Sequence, residues 1–155
     1  MTTKVYLSTK GGPVDPEDAT ISVFDRGFLY GDSVYETLRT AGGRLVDAEP
    51  HLQRLRASGR GIGFEIPYAD EDILAAVADT LTAAANPDSK VRIVVTRGGG
   101  PVMLDARHSE SPVLCVMVSP LVLPQADAYV RGISAVIVHV ERHAKNAVHP
   151  GLKTG

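Results

Sequence analysis

A single cysteine, Cys115, stands in a chain of 155 residues that has no tryptophan. One thiol excludes an intramolecular disulfide and any multi-cysteine metal site. Its place in the apolar run VLCVMV marks it as an inert buried thiol rather than a nucleophile. An excess of charge of one sign is missing too. With 16 Lys and Arg against 18 Asp and Glu, the formal charge is −2, which gives no electrostatic reason to expect nucleic acid or an anionic membrane as partner. No apolar run approaches the length of a membrane span, and the opening MTTKVYLSTKGG holds no apolar core long enough for a signal peptide. These absences set the expectation of a soluble cytoplasmic protein. What is present is an apolar fraction of 44%, sufficient for one packed domain, or one domain and the start of another.

The most concentrated stretch is DRGFLYGDSVYETLRT, residues 25–40. Arg26-Gly27 and Gly31-Asp32 are turn signals, and residues 33–40 alternate as a strand does. Val34, Glu36, Leu38 and Thr40 then point one way, and Ser33, Tyr35, Thr37 and Arg39 the other. The second set is poor core material but suits a pocket wall. It equally suits the wet face of an antiparallel strand. Before this stretch, residues 4–8 read as a short strand broken by Gly11-Gly12-Pro13. After it, Ala41-Gly42-Gly43-Arg44 reads as a hairpin turn with Leu45 and Val46 returning. Three short strands so close together predict an antiparallel meander.

Two helices follow. Asp47 is a candidate N-cap, Glu49 and Pro50 suit a first turn, and Leu52, Leu55 and Ile62 fall on one stripe beside Gly59. Arg56 and Arg60 lie well round from that stripe and are expected in solvent. Arg54 lies at its edge, flanked by His51 and Ser58. It reads either as a rim arginine or as a clamp for an anion. Asp70 or Asp72 caps the second helix, whose buried stripe is Ile73, Leu74, Val77, Leu81 and Ala84.

The rest is predicted as strands and connectors. Residues 91–96 form a strand running into Arg97-Gly98-Gly99-Gly100-Pro101, either a flexible loop or one that lets backbone approach a ligand. Arg92 and Arg97 leave opposite faces of it. Residues 113–118 read as a strand covered on both sides. The segment from Ser119 to Gln125, with Pro120 and Pro124, reads as a stiff connector, and residues 132–140 as one more apolar strand. In the tail, His143 and His149 lack a third metal ligand at suitable spacing and read as surface histidines. Lys153 by itself reads as a frayed terminal lysine.

Taken in order, these landmarks resemble the fold-type IV pyridoxal-phosphate enzymes, the class IV aminotransferases. DRGFLYGDSVYETLR is similar to a family signature. His51-Leu52-Gln53-Arg54-Leu55 matches an H-x-x-R-L helix, VRIVVTRG a strand and loop over the substrate, and HPGLKTG the segment with the Schiff-base lysine. The resemblance implies pyridoxal 5'-phosphate as cofactor, Lys153 as the catalytic lysine that binds it, and Arg54 as the partner of its phosphate. It implies Tyr30, Tyr35, Arg39 and Arg92 as substrate-binding residues, with no metal, and a homodimer acting on a small amino acid and a 2-oxo acid.

The implied fold is α+β: a small N-terminal antiparallel sheet with two helices, plus the first strand of a second, largely absent β-rich domain. Residues 1–119 would form the small domain, 120–131 the connector, and 132–155 the start of the larger cofactor-binding domain, the remainder of the same protein completing it. Two departures bear on substrate. The R-x-H pair of D-amino-acid aminotransferases is replaced by Gly99-Gly100-Pro101-Val102-Met103-Leu104. The F-E-G-[IL]-R of branched-chain enzymes is here Tyr35-Glu36-Thr37-Leu38-Arg39. A branched-chain-like aminotransferase is the first expectation, a 4-amino-4-deoxychorismate lyase on the same scaffold the alternative, and an inactive fragment or non-catalytic module the second alternative.

Overall fold

The computed structural model describes residues 2–139, 149 and 151–155. It contains six strands, β1 (Lys4–Leu7), β2 (Gly12–Val14), β3 (Ser33–Ala41), β4 (Arg44–Leu45), β5 (Ser89–Thr96) and β6 (Val113–Pro120), and four helices, α1 (Arg26–Tyr30), α2 (Ala48–Gly61), α3 (Asp70–Ala84) and α4 (Ala126–Arg131). The strands form one antiparallel sheet in the order β2-β1-β6-β5-β3-β4. The class is therefore α+β, as expected. The expected meander is not formed, because β5 and β6 lie between β1 and β3. Both strands send fully buried apolar side chains into the core, and in the middle of the sheet both of their backbone edges are paired.

Alternation on the central strands builds the core. Val34 and Leu38 of β3, Val91, Ile93 and Val95 of β5, and Leu114, Val116 and Val118 of β6 pack against Leu52 and Leu55 of α2 and Ile73, Ala76 and Val77 of α3. Each such side chain removed from water contributes about 1.5–3 kcal/mol. A smaller cluster of Val5, Leu7 and Val113, with Cys115, Met117 and Ala19 against it, covers part of the opposite face. Burial there pushes the Cys115 thiol up to about 11, which suits an inert thiol.

Several local expectations change in the folded chain. Arg26-Gly27 opens a helical turn rather than a bend. Asp25 accepts from the Gly27 N–H at 2.7 Å, and Gly31 closes α1 with φ 66°. Leu74 is exposed while Thr80 takes a buried place on α3. Arg56 does not point into solvent. The chain between α2 and α3 folds over it, so its guanidinium meets Asp70 and donates to the Tyr68 carbonyl at 2.7 Å. The connector expected from Ser119 overlaps β6, which runs to Pro120, and residues 126–131 beyond it are helical, with Arg131 paired to Asp127 one turn away. The strand expected over residues 132–140 is not formed by residues 132–139, which have no ladder partner among the described residues and stay exposed. Val140 and His143 lie outside the described residues, and His149 is exposed.

Two glycine pairs show what the backbone demands. Gly42 and Gly43, at φ 58° and 75°, form the β3–β4 hairpin turn, the primed geometry that L side chains disfavour. Gly98, at φ 89°, starts a loop that is tied down rather than free. Gly99 and Glu110 exchange backbone bonds at 2.9 and 2.8 Å. A Cβ at Gly98 would collide with the Glu110 and Ser111 carbonyls, whereas one at Gly42 would meet nothing within 4 Å. Gly42→Ala is therefore expected to cost about 1–2 kcal/mol, the strain of the left-handed backbone alone. Gly98→Ala adds a backbone collision and should cost about 3 kcal/mol or more. Urea titration of the full-length protein checks the difference; equal midpoints would contradict it.

Candidate functional site

β3 has two partners on its outer edge. Its C-terminal end pairs with β4, and its N-terminal end receives residues 153–155. The Tyr35 N–H donates to the Lys153 carbonyl at 3.0 Å, the Gly155 N–H donates to the Ser33 carbonyl at 3.0 Å, and Val34 bridges Thr154. The Lys153 N–H donates to Ser58 Oγ on α2 at 3.1 Å. Leu152 fits against α2 at Gly61, where a Cβ would strike it. Lys153 is thus not frayed. Its backbone is held from both sides, and its side chain is 34% exposed.

Lys153 Nζ lies 5.6 Å from the centroid of the Tyr35 ring and 3.8 Å from Glu36 Oε2. The Arg92 guanidinium also lies over the Tyr35 ring, at 4.0 Å, a cation–π contact. Glu36 projects to the helix side of β3 and is fully buried. There it accepts from Arg54 twice, Nε to Oε1 at 2.5 Å and Nη2 to Oε2 at 2.7 Å, and its Oε2 lies 2.8 Å from His51 Nδ1. Burial alone would raise the Glu36 carboxyl. The bonds from Arg54 and His51 and the charges of Arg54 and Lys153 outweigh it and hold the group below its ordinary value. The same clasp raises Arg54.

Of the six residues singled out in the sequence, Lys153, Tyr35, Arg92 and Arg54 surround this point on β3. Arg39 does not join them. It is exposed further along the strand, in a shallow cavity of about 470 Å³ with Thr37, His51 and Lys90. Tyr30 lies under the Arg26 guanidinium, 4.8 Å from its ring centroid, and lines a separate cavity of about 410 Å³ with Leu104, Thr154 and Gly155. That flank is braced by Asp32, which accepts from Arg26 Nε at 3.0 Å and Arg97 Nε at 2.8 Å. Burial would raise Asp32, but Arg97 and Arg26 hold it below its ordinary value. Arg26 also donates to the Met103 and Leu104 carbonyls, which fastens the residue 101–104 loop to α1.

Sequence reasoning placed Glu36 on the core face but gave it no role. A carboxylate sharing its parity with Val34 and Leu38 needs a buried cation, and that requirement was the available signal. Ser58 gave no signal beyond its place beside Arg54. Among the described residues no group of three His, Cys, Asp or Glu side chains is placed to hold a metal ion, and no helix is long and apolar enough to cross a membrane.

The pattern of the family described as amino-transferase class IV matches residues 33–155. The chain belongs to that family. It is 36% identical over 152 residues to a Methanocaldococcus jannaschii protein provisionally named a branched-chain-amino-acid aminotransferase, covering 97% of this chain and 51% of the relative. It is 33% identical over 99 residues to a D-alanine aminotransferase of Staphylococcus epidermidis, covering 64% of this chain and 34% of the relative. The crystal structure of the Escherichia coli branched-chain amino acid aminotransferase has the same fold, with a TM-score of 0.87 at 21% identity over all of this chain and 52% of that one. This class IV chain thus spans about half the length, or less, of the curated relatives it matches.

The buried carboxylate has a pH signature. A carboxyl held below its ordinary value of 4.5 contributes stability that is complete above that value. The contribution is lost as pH falls through the lower, folded value. Unfolding midpoints measured between pH 6 and pH 3 should therefore fall steeply below about pH 4.5. They should fall less steeply in Glu36→Gln, which has no such proton to take up. Parallel profiles would refute the assignment.

Proposed function

We propose that the protein carrying this chain is a pyridoxal-phosphate-dependent aminotransferase, moving an amino group between a branched-chain-like amino acid and a 2-oxo acid. The observation that carries this reading is the placement of Lys153. A primary amine is held by its backbone on β3, beside an aromatic ring and two arginines, within the stretch that matches the family.

The donor set fits the cofactor. Two cations, the clasped Arg54 and the untethered Lys153 amine, face one ionised carboxylate, Glu36, so the site keeps an excess positive charge that suits a phosphate dianion. The Arg54 side chain is 46% exposed and Lys153 is reachable from solvent. When bound, pyridoxal phosphate would supply an electron sink for the substrate Cα. Lys153 would hold the cofactor and take or return the Cα proton at Nζ. Arg54 would bind the phosphate. Tyr35 and Arg92, stacked together, would face the substrate and its carboxylate, with Tyr30 and Arg39 reached from the flanks.

The same reading includes a homodimer and a larger cofactor-binding domain beginning at residue 132, after a connector over residues 120–131. Exposed apolar side chains support it. Phe24, Phe28, Val102 and Leu104 are at least 55% exposed along the α1 flank, as are Ile133, Val136, Ile137 and Val138 beyond α4. Patches of this kind call for cover.

The test uses the full-length protein. With added cofactor it should show an absorbance band near the visible that Lys153→Ala abolishes, and that variant should lose amino transfer by about 10²–10⁴-fold or more. Amino transfer from leucine to 2-oxoglutarate is the expected activity. D-Alanine as the better donor would change the substrate class. Pyruvate released from 4-amino-4-deoxychorismate without amino transfer would replace the reaction by the lyase. A colourless protein indifferent to the cofactor would end the proposal.

A further inference from the structure

An ionised carboxylate on the covered face of a strand is tolerated only when paired and fully hydrogen-bonded. Glu36 meets that condition through the geometry of its two oxygens. Oε1 accepts from Arg54 Nε, and Oε2 accepts from Arg54 Nη2. Two parallel bonds fix the plane of a guanidinium, whereas a single bond would let it turn. The edge of Arg54 that remains carries Nη1, for which no partner is found among the described residues.

His51 completes the arrangement. A ring nitrogen 2.8 Å from a carboxylate oxygen must carry the proton, so Nδ1 donates to Glu36. It then cannot accept from Arg54 Nη2, which lies 3.2 Å away, and Nη2 is left with Glu36 alone. With Oε2 already receiving two donors, Lys153 Nζ remains at 3.8 Å, beyond hydrogen-bond reach. The lysine feels the carboxylate without being tethered to it.

We infer that Glu36 is a positioning residue. It clasps Arg54 so that the outer guanidinium edge is presented to the phosphate of a bound ligand. With His51 occupying the same carboxylate, the Lys153 amine is left free. The inference rests on the proposed function for the identity of the ligand, but the clasp belongs to the chain itself.

The experiment measures the affinity of the full-length protein for pyridoxal 5'-phosphate and for pyridoxal, which lacks the phosphate, by absorbance or fluorescence titration. Glu36→Gln should weaken pyridoxal phosphate by about 10- to 100-fold, the range seen when an outer partner orienting a ligand-binding side chain is removed. Pyridoxal binding should change by less than about twofold, since it does not engage Arg54. In an Arg54→Gln background, Glu36→Gln should add no further loss, because the clasp is already gone. Equal weakening for both ligands, or an undiminished effect in the Arg54→Gln background, would overturn the inference. Should Glu36→Gln not fold, Arg54→Lys decides. It keeps the charge but cannot be clasped at two points, so it should also weaken pyridoxal phosphate selectively, and wild-type affinity would overturn the inference. A wild-type protein that binds no pyridoxal phosphate defeats the proposed function itself. Wild-type binding with indifferent variants defeats only the role of Glu36.

Discussion

The buried charge of Glu36 is the constraint on which the candidate site depends. Its strand parity sends the carboxylate into the face that α2 must cover, where an unpaired charge would be prohibitive. The covering helix answers with Arg54 and His51, one turn apart on the side of α2 that meets β3. The pair therefore does more than balance charge. It sets the helix against the strand at a fixed rotation, and the same rotation presents Ser58 to the Lys153 backbone. A strand residue, a helix turn and a distant lysine are placed by one electrostatic requirement.

β3 serves two functions because its faces are separated by a single residue step. Val34, Glu36 and Leu38 bind the helix layer, while Tyr35 and Thr37 stand on the other side with Arg92 of β5. Its outer edge is shared between a short hairpin strand at one end and residues 153–155 at the other. The shortness of β4 is what leaves room for the second. A longer hairpin would have taken the backbone groups of Tyr35 and Ser33 and excluded Lys153 from the edge.

The glycine loop after β5 and the Asp32 brace work in the same direction. Gly98 lets the loop turn back onto Glu110, and Asp32 ties α1, the end of α2 and the residue 101–104 loop through Arg26 and Arg97. A flexible loop had been an open reading of three glycines. Their conformational freedom is instead used at Gly98 and Gly100, where positive φ allows close packing against the residue 108–111 backbone, and the loop is fixed by backbone bonds.

Alternation and turn chemistry were enough to read β3, its hairpin, the stripe of α2, most of that of α3, and the presence of β5 and β6 as strands. These features repeat with the covalent geometry of strand and helix and need only neighbours in the chain. The order of motifs was enough to indicate the family. The strand order was not legible, nor was the commitment of Arg56 to Asp70, nor the lack of a strand partner for residues 132–139 among the described residues. Each depends on which distant segment arrives at an edge or a flank. The site divides in the same way. The sequence by itself determined that Glu36 would face the core and that Arg54 would stand at the edge of its helix. Only the tertiary structure decided that the two would meet, and that Lys153 would lie beside Tyr35, because pairing across a strand edge is set by long-range register rather than by local periodicity.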